Sequence, residues 1–415
     1  FALLYSWLAT PRWRGRILLI ASLISVFWLQ PSTPIRNLDF WLPGASITLT
    51  LFVWAATRPK PAEDRRVTFV STGLIIGIIL VTGLTRYSEP LCCITASRPP
   101  DFSRILLGLA IAGALVVLPY RLSRGRIFPV IGILVILGLF IILKTEKLSL
   151  TFSAGLRSLA GQSPELASPI DLPWLGFSYL AFRLLHVLRD FQAGKLPALS
   201  LEEFVTYALF FPALTAGPID RAPRFASDLR HATSSEQSIL QTEPSALLFS
   251  GQRILSGIFK KFVLADSLAL LALNSQNASL VNQPAWAWVL LYAYTLRIYF
   301  DFSGYTDIAI GLGRLLFIQL PENFDRPYLK TNLTAFWNSW HITLAQWFRA
   351  YFFNPFTRSL KTRPQHLPVW CIILLGQLGT MLLIGLWHGI TWNFVAWGAW
   401  HGLGLFIHNR WNDWL

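Results

Sequence analysis

Residues 127–143 read IFPVIGILVILGLFIIL, seventeen residues in a row without a charged side chain. At about 1.5 Å per residue, a helix over this run covers most of a hydrocarbon core roughly 30 Å thick. Four comparable runs precede it, at about 17–30, 40–57, 67–84 and 104–119. The 415-residue chain is 53% hydrophobic and only 13% charged, and its mean hydropathy is positive. Soluble domains carry about 25% charged residues. The sequence therefore predicts an all-α polytopic membrane protein, with about 10–11 transmembrane or re-entrant helices around an internal path. Continuous apolar segments argue for a single membrane domain over 1–415, in which 1–144 supply peripheral transmembrane helices.

The formal net charge is +14, but the basic residues form no aromatic-interleaved stripe, so no nucleic-acid partner is expected. They cluster between apolar runs. Arg12, Arg14 and Arg16 precede the first run, Arg58, Lys60, Arg65 and Arg66 follow the second, and Arg121, Arg124 and Arg126 follow the fourth. The connections 31–39 and 85–103 mix acidic and basic residues. This alternation predicts a cytoplasmic N-terminus with basic loops inside a plasma membrane. Cys92, Cys93 and Cys371 have no metal or disulfide spacing. Phe1 is not an initiator methionine, so the native N-terminus is expected to be longer, and no signal peptide is read.

Residues 145–170 are expected to form an external loop with an interfacial helix, and a sixth span follows at about 171–189. Beyond it, charges, Gly and Pro interrupt the apolar runs. Such backbone survives at membrane depth only inside protein or around a watery path, so the second half reads as the working half. In RIYFDFSGYTDIAIGLGR (297–314), Asp301, Ser303, Asp307 and Arg314 fall in one span. Asp301 and Asp307 lie about 600° apart on a helix and do not share a face. Pairing of one carboxylate with Arg297 or Arg314 is the structural expectation. Downstream, Asn338 and His341 are neighbours if helical, with Trp337, Trp340 and Trp347 around them and Arg349 nearby. In LIGLWHGITWNFVAWGAWHGLGLF (383–406), His388 and His401 would point about 220° apart on one continuous helix, which excludes a shared metal. Gly385, Trp387 and Gly389 mark His388 as a close approach or bend, and His401 reads as a packing residue. No nucleophile elbow, Walker loop, dinucleotide fingerprint or metal-binding spacing is present, and no metal is expected.

At these residues the chain resembles the membrane-bound O-acyltransferase family. The resemblance rests on Tyr299–Tyr351, on GLWHGITWNFVAWGAWHG (385–402), on FFPALTAGPIDRAPRF (210–225) and on SGIFKKFVLAD (256–266). It runs from about 171 to 408, the expected family core. Within the family it is similar to the bacterial branch of alginate O-acetyltransferase and the D-alanyl transfer protein of teichoic acids. GFSYLAFR, GPIDR and FWNSWH are closer to the second. One position departs: the family often has Arg-Asp-Tyr where this chain has Arg349, Ala350 and Tyr351. Further spans commonly follow the last motif, whereas this sequence stops at Leu415, either as a truncation or as a short branch.

The resemblance implies transfer of an acyl group, acetyl, D-alanyl or similar, from a cytoplasmic thioester to a hydroxyl. The acceptor would be an envelope glycan or an extracytoplasmic partner. The family's catalytic histidine falls on His388 and its second histidine on His341. His388 is expected to act as general base, and His341 with Asn338 to hold the carbonyl. Trp337, Trp340 and Trp387 would wall out water, with Arg349, Asp301, Ser303 and Asp307 as further substrate contacts. Arg221, Arg224, Lys260 and Lys261 would dock acyl-CoA or an acyl carrier protein. Expected partners are membrane lipids, that donor and an SGNH-hydrolase-like extracytoplasmic protein; no bound cofactor is expected. Other classes to weigh are a non-catalytic scaffold of a membrane assembly, a lipid or acyl transporter, and a haem protein using His186 with His401.

Overall fold

A computed structural model describes residues 1–58, 65–88, 94–122, 127–234, 244–362 and 367–414. Cys92, Cys93, Lys60, Arg124 and Arg126 lie outside the described residues. Helices α1 (Ala2–Leu8), α2 (Pro11–Trp28), α3 (Leu38–Thr57), α4 (Arg65–Leu84), α5 (Phe102–Leu122) and α6 (Ile127–Lys144) form the first half. The amphipathic α7 (Glu146–Leu159) and α8 (Phe177–Gln192) follow, then the shorter α9 (Leu201–Ala208) and α10 (Ala222–Ser234). The second half comprises α11 (Pro244–Ile258), α12 (Asp266–Leu271), the long α13 (Pro284–Leu315), α14 (Leu333–Trp337), α15 (Ile342–Phe348), α16 (Asn354–Lys361), α17 (Val369–His388) and α18 (Trp392–Trp414). No strand occurs among the described residues; one isolated bridge joins Phe324 and Trp340. Five helices, Leu38–Thr57, Arg65–Tyr87, Phe102–Leu122, Ile127–Lys144 and Val369–His388, are long and apolar enough to cross a membrane. The chain is thus an all-α, multi-pass membrane protein.

The expected sixth span differs. Helix α8 starts at Phe177 and has 16 residues, about 24 Å long, and most of it is buried in protein. Its charge explains why. Arg183 is 2% exposed, a setting in which an unsatisfied guanidinium would be very costly. Its amino groups donate to Tyr207 O, Ala208 O and Ala213 O at 3.3, 2.9 and 2.7 Å. The first two are carbonyls left open at the C-terminal end of α9, where the helix dipole favours a cation, and the third lies in the turn that follows. Leu184 and Leu188 join Phe204, Tyr207 and residues of α2 and α3 in the main apolar core.

The loop 160–176 is tied to α7 by a buried clasp. Arg157 Nε donates to Asp171 Oδ2 at 2.8 Å, and Ser153 Oγ and Ser168 N–H donate to the same oxygen. Burial pushes the Asp171 carboxyl up, but these three donors outweigh it and hold its pKa below the usual range.

In the second half, close backbone contacts set the geometry. A Cβ at Gly304 of α13 would come within 2.7 Å of Gly257 O on α11. Just past that contact α11 widens into a π-helical segment, Phe259–Ala265, which turns Lys260 and Lys261 toward α13. Helices α17 and α18 form a hairpin rather than the single helix on which the 220° separation was reckoned. A Cβ at Gly385 would collide with Phe394 O, and one at Gly398 would sit 2.6 Å from Met381 O. The close approach read from Gly385 and Gly389 is present, and it closes the hairpin just beyond His388.

Candidate active site

The site begins with two short main-chain links. Asp325 N–H donates to Ser339 O at 3.0 Å and Ile342 N–H to Asn323 O at 2.9 Å, which lays residues 323–325 beside 339–342. His341 lies at this junction as the N-cap of α15, with φ 45° and ψ 53°. This left-handed conformation costs a non-glycine residue about 1–2 kcal/mol. The helical i, i+3 adjacency of Asn338 and His341 therefore does not form, because α14 ends at Trp337 and α15 starts at Ile342. Asn338 is turned away instead, its Oδ1 accepting from Arg349 Nη2 at 2.6 Å. The missing neighbour of His341 is Asn323.

Asn323 Oδ1 accepts from Thr343 Oγ1 at 2.8 Å and from Thr343 N–H at 3.2 Å. It also lies 3.1 Å from His341 Nδ1. A backbone N–H can only donate, so the Asn323 atom is an oxygen and His341 Nδ1 must carry the proton. Thr343 Oγ1 in turn accepts from Ile219 N–H at 3.1 Å, anchoring the GPIDR loop to the same network. His341 Nε2 is consequently an acceptor in the neutral ring. It is buried and has no hydrogen-bond partner among the described residues, as do Asn323 Nδ2 and Trp387 Nε1. This tautomer corrects the expectation that neutral His341 holds a carbonyl, since it has no proton to offer there.

Trp387 is a ring neighbour of both candidate histidines. Its ring centroid is 6.0 Å from that of His341 and 4.5 Å from that of His388. Tyr179 and Phe182 of α8 pack on it at 6.4 and 5.8 Å, and Phe302 of α13 meets His341 edge-on at 4.7 Å. His388 ends α17 and is exposed, whereas His341 is 4% exposed. His388 also stacks on Phe394 at 5.6 Å. His401 packs between Trp397 and Trp337 at 4.7 and 5.1 Å, away from His341. Trp340 faces Phe324, Phe336, Tyr328 and Tyr299 rather than either imidazole.

The charged candidates form a second cluster. Asp307 pairs with Lys260 at 2.6 Å and with Arg253 at 2.8 Å, and Arg253 also reaches Glu322. Asp301 pairs with Lys261. The expected partners Arg297 and Arg314 are replaced by cations of α11, because the π-helical turn and the Gly257–Gly304 contact bring those closer. Ser303 is buried between these pairs on α13 and its Oγ has no described partner. Arg224 pairs with Asp220 at 2.7 Å, and Arg221 is exposed at the start of α10. His186 is no ligand site: Nε2 accepts from Ala222 N–H at 3.3 Å and Nδ1 faces Tyr207 Oη at 3.2 Å.

Two histidines around a tryptophan, one accessible and one held in a single tautomer, agree with the motif order of the C-terminal half. The membrane-bound O-acyltransferase family model matches residues 127–415. The chain belongs to this family. It is 34% identical over 252 residues to a teichoic acid D-alanyltransferase of Streptococcus thermophilus, covering 58% of each chain. It is 32% identical over 319 residues to a probable alginate O-acetylase of Pseudomonas syringae, covering 74% of this chain and 57% of that one. A peptidoglycan O-acetyltransferase of Helicobacter pylori is 34% identical over 216 residues, 51% and 39% of the two chains. The chain spans about half the length of the curated relatives it matches. The match reaches back to α6, well before the expected core start at 171.

Proposed function

We propose that the chain is a membrane O-acyltransferase that moves an acetyl, D-alanyl or similar group from a cytoplasmic thioester to a hydroxyl of an envelope polymer or extracytoplasmic partner. The observation that carries the reading is that His341 and His388 both neighbour Trp387, with the His341 tautomer fixed by Asn323. A neutral imidazole is a base matched to neutral pH. His388 takes the proton of the acceptor hydroxyl as its oxygen attacks the thioester carbonyl. The tetrahedral intermediate then expels the thiolate, which leaves with the proton from His388. His341 Nε2, which can only accept, orients the acceptor by taking a hydrogen bond from a neighbouring hydroxyl or N–H of that substrate, leaving the attacking hydroxyl's single proton to His388. The Trp387 indole N–H is a donor for the developing oxyanion, and the surrounding rings keep water from the thioester.

On this reading the protein sits in the bacterial plasma membrane with its N-terminus in the cytoplasm. The donor, acyl-CoA or an acyl carrier protein, docks through Arg221, the one cation of its proposed set without an ion pair among the described residues. Arg224, Lys260 and Lys261 are already paired with Asp220, Asp307 and Asp301, and would engage the donor only by exchanging those carboxylates for its anionic groups. An SGNH-like extracytoplasmic protein would carry the acyl group onward. Deletion of the gene should remove ester-linked acyl groups from an envelope glycan, read by mass spectrometry. An unchanged acyl profile would remove the reading, and an Arg221→Glu variant should raise the donor concentration needed for half-maximal rate.

A further inference from the structure

Helices α5 and α6 are consecutive, with only residues 123–126 between them, a connection short enough that such helices ordinarily pack side by side. Here α5 packs on α3 and α4, and α6 on α3, α7 and α8. Between them lies a cleft of about 1130 Å³, larger than the roughly 300–1,000 Å³ that holds a drug-sized ligand. Its floor is the buried face of α3 and α4, including Ile47 and Ile75, and its lips are exposed apolar side chains such as Leu107 and Val135. It shares no lining residue with the histidine site. Lining residues run along α3 from Leu38 to Trp54, about 24 Å of helix, the length of an extended acyl chain. Gly44 and Gly113 face this space, and a Cβ at either would touch nothing within 4 Å, so packing alone does not require glycine there.

Chemistry at one end of the cleft selects the occupant. Arg36, Asn37 and Arg104 line that end. Among the described residues, Asp101 pairs mainly with Arg86 at 2.8 Å and reaches Arg104 only at 4.0 Å, and Asp39 is occupied by Ser97 N–H and Oγ at 2.6 and 2.7 Å. Arg36 is exposed and has no ion pair among the described residues. Two guanidiniums over an apolar, chain-length slot fit a phosphate above hydrocarbon. Leu156 and Leu159 of α7 line the same end, the face that the charge alternation makes extracytoplasmic, where positive residues do not serve the topology rule.

We infer that this cleft holds one anionic diacyl phospholipid, its chains along α3 between α5 and α6 and its phosphate at Arg36 and Arg104. The inference does not depend on the acyl-transfer reading. Native mass spectrometry of the full protein, exchanged into nanodiscs of equal phosphatidylglycerol and phosphatidylethanolamine, tests it directly. Wild type should retain one phosphatidylglycerol with at least about tenfold preference, as two cations at a membrane surface allow. The Arg36→Gln, Arg104→Gln double variant should retain lipid without headgroup preference. The Gly44→Leu, Gly113→Leu double variant, which fills the slot, should retain none while keeping its elution volume. Equal retention of both lipids by wild type overturns the inference. So does retention that survives the filled slot; if that variant misfolds, the headgroup comparison between wild type and the arginine variant decides alone.

Discussion

His186 and His341 are buried almost equally, 1% and 4% exposed, yet their surroundings differ in kind. At the junction of α8, α9 and α10, both nitrogens of His186 face partners, and Tyr207 Oη beside it donates on to Asp220 O. At the 323–342 junction, His341 has one nitrogen locked by Asn323, the other unpartnered, and a backbone in the left-handed region. Burying a polar atom without a partner is costly. Packing and hydrogen bonds within the fold account for both nitrogens of the first histidine, whereas the second keeps one nitrogen open, as the proposed role in binding an acceptor requires. The difference teaches that two histidines of nearly equal burial can differ in what they leave available to a ligand.

The largest effect should break the comparison outright. His341→Ala also leaves a buried cavity and should cost some stability, but acyl transfer per folded molecule should fall by about 10²-fold or more. His186→Ala leaves Ala222 N–H unsatisfied and a cavity behind it, and should cost about 2–4 kcal/mol of stability with activity per folded molecule retained. Thermal melts and rates on the same preparations separate the two, and equal profiles would abolish the distinction.

A smaller effect sharpens it. Asn323→Ala frees the His341 proton to move to Nε2 and should lower the maximal rate about 10-fold, on the scale of one lost buried hydrogen bond. Asn323→Asp keeps an acceptor at the same position and should recover most of that loss. A merely structural asparagine would move the melting temperature but leave the rate per folded molecule near wild type in both variants, so that rate is the readout.

Smaller still is the effect of the Arg157–Asp171 clasp, a buried and fully paired site like that of His186. The folded-state pKa of Asp171 lies below its unfolded value. Its contribution is therefore present above the usual carboxylate pKa and is lost as pH falls through the depressed folded value. Melting temperature should drop more between pH 7 and pH 3 in wild type than in Asp171→Asn. Parallel curves would show that the clasp contributes nothing.

The membrane class and four of the five membrane-length helices were legible because uncharged runs such as 127–143 leave no other home for their side chains. The run at 17–30 falls in α2, which is not among the five, and the fifth, Val369–His388, is read in the sequence only for its histidine motif. The helix within 145–170 and the close approach at Gly385 were legible from local pattern as well, the first from its amphipathic spacing and the second from its glycines. The partners of Asp301 and Asp307 were not, since Lys260 and Lys261 reach them from another helix through a π-helical turn that no spacing announces. Asn323 was hidden more deeply. It lies eighteen residues before His341 in PENFDRP, and only the backbone links between 323–325 and 339–342 bring it under the ring. The helical pattern favoured Asn338 because the left-handed turn at His341, which breaks that pattern, has no signature in the neighbouring residues.

The central claim is that His388 performs proton transfer at a site shared with His341. It is tested most directly by restoring a deletion strain with wild type or His388→Ala at matched membrane abundance and melting temperature, then measuring ester-linked acyl groups on the envelope polymer. Wild type should restore them and His388→Ala should leave them at the level of the deletion. Restoration by His388→Ala to the wild-type level would contradict the account.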